Sequence, residues 1–200
     1  MFCLKELTPQ EWIACAVRHV DAVLIDHAHC EQKAAVTALS FVSKYPDDNE
    51  LVSRLAALAE EEAGHFREMV NLCLERGLKL GHPGADPYVK ALLAHTRPHG
   101  WMHREDRLLI CALIEARSCE RLKLLAEHLE EEQLRETYAA FWKAEVQHFK
   151  LFVDLASRTR QHALHIEPAQ AEAETKLRLD ALAEEEARIM SAQPIRPAIH

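Results

Sequence analysis

Two Glu-x-x-His pairs, Glu62-Ala63-Gly64-His65 and Glu145-Val146-Gln147-His148, are the residues of this chain whose types and spacing best lend themselves to chemistry. Residues three apart share one face of a helix, so each pair aims a carboxylate and an imidazole at one point, a donor set for a divalent metal. The spacing alone carries little weight, because the chain is rich in Glu and has 13 His. Two further glutamates supply the weight. Glu31 is the only Glu between Glu11 and Glu50, and it stands at an inward position of the helical pattern of Val20, Leu24, His27 and Ala35. Glu115 follows the apolar run Leu108 to Ile114, on a face continued by Cys119, Leu122 and Ala126. Glu31 precedes Glu62 by 31 residues and Glu115 precedes Glu145 by 30, so the chain reads as a duplicated pair of helices.

Four long helices must then position these groups. The first is expected from a capping box at Thr8-Pro9-Gln10-Glu11 to about Lys44, closed by Pro46, and carries Glu31. The second starts at Asp47 with Glu50 three residues on, runs a stripe through Leu51, Leu55, Leu58, Glu62, His65 and Met69, and ends at Gly77. Glu60 and Glu61 fall on its solvated side. A proline-bearing connection from Gly77 to about His103 follows, with a short helix from Asp86-Pro87 through Leu93. The third helix is expected from about Glu105 to His128. The fourth starts near Glu131 and faces inward with Leu134, Tyr138, Phe141, Glu145, His148, Phe152 and Leu155. After Pro168, a further helix from about Ala169 to Met190 packs outside the bundle or in an oligomer contact, and Pro194 to His200 is expected to be loose.

Composition agrees with this plan. Two hundred residues, 48% hydrophobic with only 5 Gly, suit one all-α domain over 1–200, its core bundle at about 8–160 and its extra C-terminal helix at about 169–190. Two helices each giving one Glu and two each giving Glu-x-x-His form the ligand set of a ferritin-like four-helix bundle, here with a long crossover between helices 2 and 3. Two ferrous ions would offset the charge of the four glutamates, so metal should also stabilise the fold. The six cysteines show no zinc-type spacing, and no apolar run is long enough for a membrane span, which together predict a cytoplasmic protein. A net charge of −8 argues against broad affinity for nucleic acid but leaves room for a local basic face.

Two residues share faces with the expected ligands, and a third lies inside the first Glu-x-x-His. His27, one turn before Glu31, and Cys119, one turn after Glu115, are candidates to support a ligand or line a channel, and Gly64 to open space beside a metal. An ordinary core His, a core Cys and close helix packing are the competing readings. The stretch from Arg97 to Arg107, with His99, Trp101, His103 and Arg104, interleaves cations with an aromatic ring as RNA-binding surfaces do. Arg117, Arg121 and Lys123 are possible extensions of it, and a solvated loop is the alternative.

The runs Glu61-Glu62-Ala63-Gly64-His65-Phe66, Ile114-Glu115-Ala116-Arg117-Ser118-Cys119-Glu120-Arg121 and Glu145-Val146-Gln147-His148-Phe149 resemble the bacterial tRNA hydroxylase family MiaE over about residues 5 to 160. That resemblance implies an oxygen-dependent non-haem di-iron monooxygenase that hydroxylates the prenyl group of methylthio-isopentenyl-adenosine beside the anticodon. It carries over two iron ions held by Glu31, Glu62, His65, Glu115, Glu145 and His148, with dioxygen as co-substrate. It also implies an external electron donor, a reductase or ferredoxin, since the chain has no flavin or iron–sulfur motif. Assembly is expected to be a monomer or small homo-oligomer. The competing functions are a ferritin-like iron-oxidising or storage protein, another di-metal oxidase or catalase, and a metal-free helical interaction module.

Overall fold

The computed structural model describes residues 2–200, and every regular element in them is a helix. In chain order these are α1 (Gln10–Arg18), α2 (Val20–Lys44), α3 (Asn49–Glu75), α4 (Pro87–Leu93), α5 (Gly100–His128), α6 (Glu132–Leu164) and α7 (Pro168–Ala192). The contacts divide the chain into two compact units, one of residues 14–85 with 196–199, the other of residues 1–13, 86–195 and 200.

In the first of these units α2 and α3 pack along their length as a hairpin. Lys44 ends α2, with Tyr45 N donating to Phe41 O at 2.9 Å, and Pro46 cannot continue the ladder. The Asp48 carboxylate then accepts from Leu51 N at 3.1 Å, so the cap of α3 lies one residue later than Asp47. Leu51, Leu55, Leu58 and Met69 on the stripe of α3 and Leu24, Ala28 and Phe41 of α2 are buried, while Glu60 and Glu61 are exposed. Gly77 takes a φ of +70° and lets Leu78 N reach Cys73 O at 2.8 Å, a helix stop that a side chain would strain.

In the other unit α5 and α6 form the second hairpin, and α7 lies against α6, α4 and α5. The expected inward row of α6, Leu134 to Leu155, is buried throughout. α4 starts as expected, with the Asp86 carboxylate accepting from Val89 N at 3.0 Å. α5 begins five residues before the expected Glu105, at Gly100, whose φ is +66°. The C-terminal helix is an integral part of this unit, with Ala171, Leu179, Leu182 and Ala183 buried.

Three expectations fail, two of them because long-range partners override local signals. Thr8 does not cap a helix: its N–H and Oγ1 donate to Glu120 at 3.0 and 2.7 Å, and α1 starts at Gln10 instead. The first helix is also not continuous to Lys44, because His19 (φ −120°, ψ 41°) separates α1 from α2. The C-terminal tail is not loose. Ala198 and Ile199 are buried, Ile199 N donates to Asp26 Oδ2 at 2.6 Å, and the His200 ring stacks on Tyr88.

Candidate metal centre

Each hairpin carries one triad of donors, all of them buried except His65, which is half-buried. In the α2–α3 hairpin, Glu62 and His65 project from adjacent turns of α3, with His65 Nδ1 3.2 Å from Glu62 Oε2 and 3.5 Å from Glu31 Oε2 on α2. One ligand atom from each of the three lies within 4.8 Å of the others. Burial alone would push the His65 imidazole down, but its hydrogen bonds to Glu31 and Glu62 and their charges outweigh this and raise it to about 10. The two carboxylates thus favour positive charge at this point, the role that a bound cation would fill. His27, on the preceding turn of α2, brings Nε2 to 2.6 Å from Glu31 Oε1 and is 1% exposed. Its expected place beside Glu31 is therefore occupied.

The α5–α6 hairpin repeats the arrangement with Glu115 on α5 and Glu145 and His148 on α6, again with ligand atoms within 4.8 Å of one another. His148 Nδ1 stands 3.4 Å from Glu145 Oε2, and that oxygen is buried without accepting a hydrogen bond among the described residues. A buried carboxylate oxygen left in this state is costly, and a coordinated divalent ion satisfies it. The donor sets, two carboxylates and one imidazole in each hairpin, suit iron or manganese rather than a thiolate-seeking metal.

Other sequence candidates fare differently. Cys119 donates from Sγ to Trp142 O at 3.2 Å, and burial pushes its thiol up to about 12, so it is an inert core thiol. Gly64 is not packed against a neighbouring helix, since a Cβ there would meet no heavy atom within 4 Å. At about 100° per residue it also points well away from the inward stripe of α3.

The basic stretch is largely compensated. Arg97 is held by Asp106 at 2.7 to 2.8 Å and by Glu105 at 2.6 Å, and both carboxylates are fully buried. Arg160 closes on Glu105 and Arg178 on Asp106, each through two bonds of 2.7 to 3.0 Å. Trp101 sits against Arg97 and Arg160, 5.9 and 5.3 Å from its ring centre. Arg117 cannot be an RNA contact, because it is 0% exposed and bound to Glu120, Glu186 and Glu6 O. Arg121 is likewise buried, over the Trp12 ring. His103 is engaged with Arg97 O at 2.9 Å, and Arg104 and Arg107 are half-buried. Only His99 and Lys123 are exposed, and Lys123 lies 3.7 Å from Glu127. Sequence reading missed this internal neutralisation; the signal for it was the pair Arg160 and Arg178, cations on apolar faces.

A family model described as tRNA-(MS[2]IO[6]A)-hydroxylase (MiaE) matches residues 1–200. The chain is 39% identical over 149 residues to a tRNA 2-(methylsulfanyl)-N(6)-isopentenyladenosine(37) hydroxylase of Pseudomonas putida, covering 74% of this chain and 72% of that one. It is 28% identical over 200 residues to the hydroxylase of the same description from Salmonella typhimurium, covering 76% and 74%. Among solved structures it is similar to a Synechococcus protein described as having aldehyde deformylating oxygenase activity, with a TM-score of 0.87, 34% identity and coverage of 98% and 93%. The fold is a ferritin-like helical bundle. Among the described residues no helix is long and apolar enough to cross a membrane.

Proposed function

The chain belongs to the tRNA-(MS[2]IO[6]A)-hydroxylase (MiaE) family, and from that premise we propose that it uses dioxygen to hydroxylate the isopentenyl group of methylthio-isopentenyl-adenosine next to the anticodon of tRNA. The observation that carries this reading is the repetition, in each hairpin, of a triad of two buried Glu and one His. We assign Glu31, Glu62 and His65 to one iron and Glu115, Glu145 and His148 to the second. When bound, the two irons supply electrons and open coordination positions that activate dioxygen toward an unactivated C–H bond.

The chain's own residues do the rest. Four glutamates balance the charge of the metals, which lets the donors stay buried. The His27 contact at 2.6 Å holds the Glu31 carboxylate in one orientation. Burial of Glu62, Glu145 and His148 keeps bulk water from reaction intermediates. Further electrons come from an external reductase or ferredoxin. The protein acts in the cytoplasm on tRNA, as a monomer or small homo-oligomer, with His99 and Lys123 as candidate backbone contacts.

Single turnover tests this reading. Iron-loaded protein is reduced without oxygen, mixed with prenylated tRNA and oxygen, and the digested nucleosides are weighed by mass spectrometry. A gain of one oxygen on the prenylated adenosine is the expected result. Oxygen consumption with unmodified tRNA points to iron oxidation instead. A second reading, oxygenation of an apolar aldehyde, is favoured by the 34% identity to the Synechococcus protein, and loss of added decanal would reveal it.

A further inference from the structure

A cavity of about 600 Å³ opens between the N-terminal segment, α6 and α7. It lies on a flank of α6 turned away from the metal triad, since Val153 and Ser157 are five and nine residues beyond His148 at about 100° per residue. Phe2, Phe149, Val153 and Leu179 give it apolar walls, and the Phe2 and Phe149 rings are stacked with centroids 4.4 Å apart. The buried Ser157 hydroxyl lines it and makes no hydrogen bond to another described residue.

The rim is charged. Lys5 is paired with Asp180 at 2.9 Å. Lys150 and Lys176 are exposed and form no ion pair with any described residue, unlike Arg97 and Arg117 of the basic stretches. Asp154 and Glu172 complete the rim as acceptors. The volume falls in the usual range for a small-molecule site and holds one base with its sugar. A heteroaromatic base stacks on exposed rings and presents both donors and acceptors at its edge, matching lysines and carboxylates together. A hydrocarbon chain uses neither.

We propose that this cavity receives an unstacked nucleobase of a single-stranded RNA segment, with Lys150 and Lys176 on the flanking phosphates. The inference rests on the RNA-substrate reading above and adds a second anchoring point on the far flank of α6 from the ligands.

The test is filter binding of an anticodon stem-loop RNA carrying the prenylated adenosine to the iron-loaded full chain. Val153→Trp, which fills the cavity, should weaken binding about tenfold. Lys150→Glu with Lys176→Glu should lower the slope of log affinity against log salt by about one to two. Iron content and helicity identify the folded variants, and the lysine pair keeps the test valid if Val153→Trp misfolds. Wild-type affinity and salt slope in the folded variants would overturn the proposal and leave the function above intact. So would displacement of a cavity-bound fatty aldehyde probe, decanal, but not of adenosine monophosphate, by Val153→Trp. Wild-type protein that neither binds the stem-loop nor adds oxygen to it would remove both readings together.

Discussion

The two triads have the same composition and different surroundings. In the α2–α3 hairpin the His65 side chain is 15% exposed, and Glu31 leans on a second imidazole, His27. In the α5–α6 hairpin the His148 side chain is 3% exposed, and the position one turn before Glu115 is Cys111, a thiol that burial pushes up to about 12. α7 lies against this second hairpin, and a buried ionic group ties α7 to α5 and α6. The first hairpin thus sets a second imidazole against its carboxylate, and the second relies on packing and dryness. The two hairpins share their donors and differ in their supports.

The sharpest way to break the comparison is to remove the shared element. Glu31→Ala and Glu115→Ala should each abolish hydroxylation in the single-turnover assay and reduce iron, measured by elemental analysis, from about two per chain to one or less. Loss of both irons on either substitution alone would show the triads to be interdependent. Next in size is the bracing of the second hairpin. Asp106→Asn leaves Arg97 and Arg178 without their shared carboxylate and should cost about 3 kcal/mol in urea unfolding.

The same group predicts a pH dependence. Although burial raises it, hydrogen bonds from Arg178 and Arg97 hold the Asp106 carboxyl below its ordinary value of 3.8. Its stabilisation is therefore complete above about pH 4 to 5 and is lost as pH falls through the depressed value. Acid titration of wild type against Asp106→Asn should show that difference vanishing at low pH.

A smaller effect separates the supports. His27→Phe should weaken iron binding about tenfold to a hundredfold, read by competition with a chelator. The matched change Cys111→Ala should alter iron affinity little and cost stability by no more than about 1 kcal/mol. Comparable iron loss in both would mean that the two surroundings do not differ in kind.

Much of this was legible in the sequence because helical periodicity reports burial directly. Glu31, Glu62, Glu115, Glu145 and His148 lie on the apolar stripes that predicted them, and all are buried. Local chemistry also placed α4 and the stop at Gly77. What stayed hidden depends on residues far apart in the chain. Thr8 looks like a cap until Glu120, 112 positions away, takes its hydroxyl. Arg117 looks like an RNA contact until Glu186 encloses it. A count of cations cannot show which are already neutralised, so the basic stretch read as a surface when much of it is interior clamp.

That clamp has an optical consequence. Trp101 lies against the guanidinium groups of Arg97 and Arg160 and is only partly exposed. When acid releases Asp106 and Arg97 loosens from the ring, the indole meets more water and its emission should shift to longer wavelength. Difference spectra against Trp101→Phe would then isolate one chromophore and time the opening of the clamp separately from the unfolding of the helices.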